Sequence, residues 1–241
     1  MYVVARAAIR MTGPFISHWK PRVSSPLSTS EPDVLAALRV ATGSRHALID
    51  STMPLSADMP TLHDYRLHLQ LIGAWLAPLE RWLARFDDGP QRAVPFIARM
   101  PLIERDLADP SLRVPSDTID TTGDEAAPPD ADDAAYRWGV CYVIEGSQLG
   151  GTVLYRRLHE TLAPHPLRYL SGDGVPPGPR WKDFLDAMRR EVHTPHDIAR
   201  ACDGARDAFD RLLERIPGTQ AVDIDALIDV DTQKALGELS S

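Results

Sequence analysis

Long apolar runs are missing from this chain. No stretch approaches the ~20 consecutive apolar residues of a membrane-crossing helix, and the best candidate, at the N-terminus, is interrupted by Arg6 and Arg10, so no membrane span is expected. The same N-terminus has no clean apolar segment followed by a small-residue cleavage site, and a secretory leader is not expected either. Cysteine is scarce, at two residues, Cys141 and Cys202. Both fall inside helical patterns, which excludes a disulfide framework and favours a reducing compartment, the cytoplasm. Positive charge is not in surplus: 26 Lys and Arg against 34 Asp and Glu leave a formal charge of -8. A sequence-independent nucleic-acid binder needs the opposite balance. Persuasive strand signals and internal repeats are also absent. What remains is an ordinary soluble composition, 44% hydrophobic and 25% charged over 241 residues, enough for one sizeable core.

That core reads as helical. Ser30-Glu31-Pro32-Asp33 forms a capping pattern before Val34, Leu35, Leu38, Thr42 and Ile49, which predicts a helix from about 31 to 51. Thr61 and Asp64 make a second capping box ahead of Leu62, Tyr65, Leu69, Ile72, Leu76, Leu79, Leu83 and Phe86, and Asp87-Asp88-Gly89-Pro90 stops that helix. Residues 91–108 predict one or two short helices bent by Pro95 and Pro101. Residues 109–133, rich in Asp, Pro and Thr, predict a solvated acidic loop. A helix follows over about 132–162, with Gly139, Tyr142, Gly146, Gly150 and Val153 on one face. Residues 171–179 read as a loop and Trp181 to His193 as amphipathic. Thr194-Pro195-His196-Asp197 caps a last helix with the stripe Ile198, Cys202, Ala205, Phe209, Leu212, Ile216. The expectation is all-α: a loose extension over 1–30, one domain over 31–216 and a tail over 217–241.

Several motifs fail on inspection. Gly146-Ser147-Gln148-Leu149-Gly150 lacks the glycine two before the serine that a nucleophile elbow requires, since Glu145 stands there. Gly146 to Gly151 has phosphate-loop spacing, but Thr152 occupies the lysine position. His63 and His68 point to different helix faces, and His193 and His196 straddle a cap, so no zinc site is expected.

Two features survive. Gly146, Gly150 and Gly151 fall within about one and a half helical turns, each costing roughly 0.5–1 kcal/mol relative to alanine. Either another helix packs closely there or a flat ligand lies on the backbone. On the first helix, Arg39, Thr42 and His46 recur at helical spacing, with Arg39 about 10 Å along the axis from His46. That is roughly the reach from a porphyrin's iron to its propionate edge, so one face could supply an axial imidazole and a cationic clamp.

The blocks Leu38-Arg39-Val40-Ala41-Thr42-Gly43-Ser44-Arg45-His46-Ala47-Leu48-Ile49-Asp50 and Tyr142-Val143-Ile144-Glu145-Gly146-Ser147-Gln148-Leu149-Gly150-Gly151 resemble those of the haem oxygenases, particularly the bacterial biliverdin-producing branch. The resemblance extends over about 32–216. It implies a multihelical haem oxygenase-like fold and an oxidative opening of haem, substrate and cofactor at once, to biliverdin, ferrous iron and carbon monoxide. Oxygen is the implied co-substrate. Carried over by position, His46 corresponds to the proximal iron ligand, and Gly146, Ser147 and Gly150 to the catalytic segment of the distal helix. Arg39, Thr42, Tyr142 and Gly151 correspond to further haem contacts. Ser147 stands where animal-type members carry an aspartate, and the acidic loop is expanded. No flavin, nicotinamide or iron–sulfur motif is present, so the implied electron donor is a separate ferredoxin or reductase. Two other classes remain: a haem-binding or haem-sensing protein without turnover, and a helical interaction protein in which the glycines serve packing alone.

Overall fold

The computed structural model describes residues 33–113 and 133–217; the expectations for the N-terminal extension, the acidic loop and the C-terminal tail fall largely outside these residues. Among the described residues there are helices and short 3-10 turns but no strand, as the all-α reading expects. No described helix is long and apolar enough to cross a membrane.

The helix starts follow side-chain chemistry. α1 (Val34–Thr52) begins where the Asp33 carboxylate accepts from the Leu35 amide at 3.1 Å, so the cap is Asp33 rather than Ser30 and the helix starts later than predicted. α2 (Leu62–Leu83) opens on the expected capping box: the Asp64 carboxylate accepts from the Thr61 amide at 2.7 Å, and the Thr61 hydroxyl accepts from the Asp64 amide at 3.3 Å. Each such cap contributes about 1 kcal/mol. α2 ends before Phe86. The 91–108 stretch becomes α3 (Gly89–Ala93) and α4 (Met100–Leu107), and Pro101 sits in the first turn of α4, where a missing N–H costs nothing.

α5 (Ala134–Leu158) is capped by Asp133, and the one-turn α6 (Arg168–Ser171), unforeseen in the sequence, follows it. α7 (Pro177–Glu191) begins earlier than predicted because Pro177 occupies a first-turn position. α8 (Pro195–Leu213) starts at Thr194 as expected, and its stripe is buried from Ile198 to Leu212, with Ile216 buried just past the helix end.

α8 is the hub. α5 crosses it at backbone contact: a Cβ on Gly139 would stand 1.8 Å from the Ala201 carbonyl oxygen, and one on Gly204 would stand 2.1 Å from that of Tyr136. Ion pairs and hydrogen bonds reinforce the crossing, from Tyr136 to Asp207 at 2.8 Å and from Arg200 to Asp133 at 2.7 Å. α1 packs on α8 as well, with Arg45 gripping Asp210 at 2.7 and 3.0 Å. α2 joins through Trp75, whose indole N–H donates to the Ala208 carbonyl at 2.8 Å. α1 and α5 each lean on α8 but scarcely on each other. A second anchor is Asp106, fully buried on α4, which accepts from the Tyr65 hydroxyl at 2.6 Å, the Tyr169 amide at 2.9 Å and Arg168 at 3.1 Å.

Candidate functional site

The outward face of α1 carries Arg39, Gly43, His46 and Asp50. The His46 side chain is 64% exposed, with Nδ1 3.0 Å from Asp50 Oδ2 one turn on. This hydrogen bond raises the imidazole pKa above its ordinary 6.5, against a smaller opposing effect of partial burial. Phe209 of α8 lies beside the ring, with centroids 6.0 Å apart.

Thr42 does not share that face. Three residues turn a helix by about 300°, leaving Thr42 roughly 60° behind Arg39, whereas seven bring His46 almost back into line. Thr42 is only 5% exposed, and its hydroxyl donates to the Leu38 carbonyl at 2.8 Å.

On α5, Tyr142, Gly146, Leu149, Gly150 and Val153 form a partly open strip. A Cβ on Gly150 would meet nothing within 4 Å, and one on Gly146 would meet only the Trp181 ring, 3.6 Å away. Close packing therefore does not explain these two glycines. Gly151 differs: it is buried, and its Cβ would make ordinary contact with Leu170 of α6, the nearest atom at 3.7 Å. Ser147 turns its hydroxyl back to the Ile144 carbonyl at 2.7 Å. Tyr142 lies 5.4 Å from Trp181 between ring centroids; burial raises its phenol pKa, and the charge of Arg39 offsets part of that rise. Arg39 and Tyr142 are thereby electrostatic neighbours across α1 and α5.

Glu145, directly before Gly146, was not singled out by the sequence. It receives Arg180 of α7 through two hydrogen bonds, at 2.8 and 2.7 Å, and Arg99 through one at 2.7 Å. Burial pushes the carboxyl pKa up, but the two guanidiniums outweigh it and the net shift is downward, so Glu145 is held ionised. These residues border a cavity of about 630 Å³, lined also by Val94, Ile97, Gln148 and Val175. The Glu145, Gln148 and Thr152 row faces this cavity and lies on a different side of α5 from the Tyr142, Gly146 and Gly150 row.

Asp50 was readable as an acid four residues after a histidine. Phe209 and Trp181 lie on other helices and carry no local signal. Arg157 donates to the Leu55 carbonyl, and Arg189 pairs with Asp186 at 3.7 Å.

The fold and these residues define an all-helical protein with an Asp50-bonded imidazole on the outward face of one helix and glycines free of backbone contact on another. The family described as Heme oxygenase matches residues 33–215. A protein of Xanthomonas campestris pv. campestris (strain 8004) named Heme oxygenase is 32% identical over 147 residues, covering 60% of this chain and 81% of that relative. The chain belongs to the haem oxygenase family, and the match spans every helix described above.

Proposed function

We propose that this chain is a haem oxygenase that holds haem between α1 and α5 and opens it to biliverdin, releasing ferrous iron and carbon monoxide. Oxygen is the co-substrate, and electrons arrive from a separate ferredoxin or reductase in the cytoplasm. The observation that carries the site is the contrast at α5: Gly146 and Gly150 face no neighbouring backbone, while His46, on the outward face of α1, has its Nδ1–H committed to Asp50. A neutral imidazole so held keeps Nε2 free as a ligand, and the acid fixes both tautomer and ring orientation. The available donors suit the substrate, since Arg39 beside Tyr142 offers a cation to carboxylates at one end of the strip.

Haem supplies the redox chemistry when bound. The residues of this chain bind and orient it. His46 would hold the haem iron, and Phe209 stands beside the imidazole from α8. Gly150 would leave the α5 backbone uncovered towards the haem, and at Gly146 the nearest side chain is the Trp181 ring. The Ser147 hydroxyl donates to the Ile144 carbonyl at 2.7 Å and accepts from the Gln148 side-chain amide at 3.3 Å. Thr42 and Gly151 act from behind, by packing α1 and α6.

The test is a hemin titration followed by turnover. A Soret shift that His46→Ala abolishes, then loss of the Soret band to biliverdin absorption under oxygen and a reductant, is the expected result. A shift that survives His46→Ala would contradict the ligand assignment. A His46-dependent shift with no ring opening would make the chain a haem carrier.

A further inference from the structure

α7 engages α5 at two consecutive residues with two consecutive residues of its own. Arg180 clamps Glu145 through both carboxylate oxygens. The next residue, Trp181, lays its indole over Gly146, with Cη2 3.6 Å from the position of a Cβ there. The indole is itself fixed on both flanks, by Tyr142 at 5.4 Å and by a near-parallel stack on Phe184 at 5.8 Å and 11°. Phe184 is buried against Trp138 of α5, so the whole row is tied back to the core. A buried carboxylate shared by two guanidiniums is a stiff anchor, because displacing either partner leaves an unpaired charge.

The open strip of α5 is therefore lopsided. Its Tyr142 end is walled by Trp181 and charged by Arg39, whereas a Cβ at Gly150 would find nothing within 4 Å. A flat, roughly square ligand held by one axial bond can still rotate in its own plane. Resisting that rotation takes an edge contact as well as a charge.

We propose that Trp181 is a specificity-determining residue, an aromatic wall that selects a single in-plane orientation of the haem and hence which meso carbon is opened, with Arg180 and Glu145 positioning it. This rests on the site reading above. The carboxylates of the ligand are drawn to Arg39, and the indole blocks the rotated placements that would push a pyrrole edge into the Tyr142 end. Phenylalanine keeps part of this wall, and alanine removes it.

The test uses the full chain with hemin and cyanide, reading orientation directly from the hyperfine-shifted haem methyl signals, and the biliverdin isomers from turnover. Trp181→Ala is expected to retain His46-dependent hemin binding. It should raise the minor orientation about twofold to tenfold, the range that losing aromatic contacts predicts. The isomer ratio should follow, and Trp181→Phe should restore much of the original distribution. Arg180→Lys, which loses the two-point grip on Glu145, should shift both readouts in the same direction by less. Unchanged methyl signals and isomers in a hemin-binding Trp181→Ala chain would overturn the proposal while leaving the site reading intact. Hemin binding that ignores His46 in the parent chain would overturn the site reading itself.

Discussion

α5 contains two glycine regions that look alike in sequence and do opposite things. Gly139, with Gly204 across from it, is needed because two helix backbones touch; any side chain there collides with a carbonyl. Gly146 and Gly150, two and three turns further on, face no backbone at all. The first region trades helix propensity for packing. The second gives up the same propensity, roughly 0.5–1 kcal/mol per glycine, with no packing return among the described residues. A cost without a structural return points to function, and this segment lies in the block shared with the family.

The comparison can be broken by mutation. The largest effect belongs to Gly139→Ala, whose methyl would sit 1.8 Å from the Ala201 oxygen. Separating α5 from α8 should cost about 3 kcal/mol or more, read as a lowered denaturant midpoint. A midpoint equal to that of the parent chain would show that the crossing is looser than described.

Asp50→Asn tests how the open region is prepared. The His46 pKa lies above 6.5 because Asp50 favours its charged form. Only the neutral ring can ligate iron, so hemin affinity is lost as pH falls through that raised value. Asparagine should move the loss to lower pH, towards 6.5, and weaken binding about tenfold at high pH through poorer ring orientation. Hemin affinity measured from pH 5.5 to 9 decides, and a pH profile that does not move would remove Asp50 from the account. The smallest effect is expected from Gly150→Ala, which should stabilise the fold by about 0.5–1 kcal/mol, opposite in sign to Gly139→Ala. Destabilisation there would mean that Gly150 has a packing partner after all.

Much of the fold was legible because it is encoded locally. The Thr61 and Thr194 caps name their own helices, and the α8 stripe names its buried face. The start of α1 differs from the expectation because Ser30 and Asp33 both offer a capping side chain, and it is Asp33 that accepts from the Leu35 amide. The site was legible only along single helices. His46, Arg39 and the glycines could be placed on faces, yet Thr42 was grouped with them by a spacing of three that turns it into the core. Whether a glycine serves packing or space depends on what crosses it, and no local pattern records that. Trp181 and Arg180 meet Gly146 and Glu145 from more than thirty residues away, a contact between α7 and α5 that only the folded chain reveals.

The central claim is that the α1 histidine face and the uncovered strip of α5 share one ligand. Paramagnetic broadening of backbone amide signals by bound hemin tests it most directly. The account predicts broadening centred on residues 43–50 and 142–150, weaker across the Gly139 and Gly204 crossing. Broadening centred on Val94, Ile97 and Val175, around the 630 Å³ cavity on the other side of α5, would contradict it.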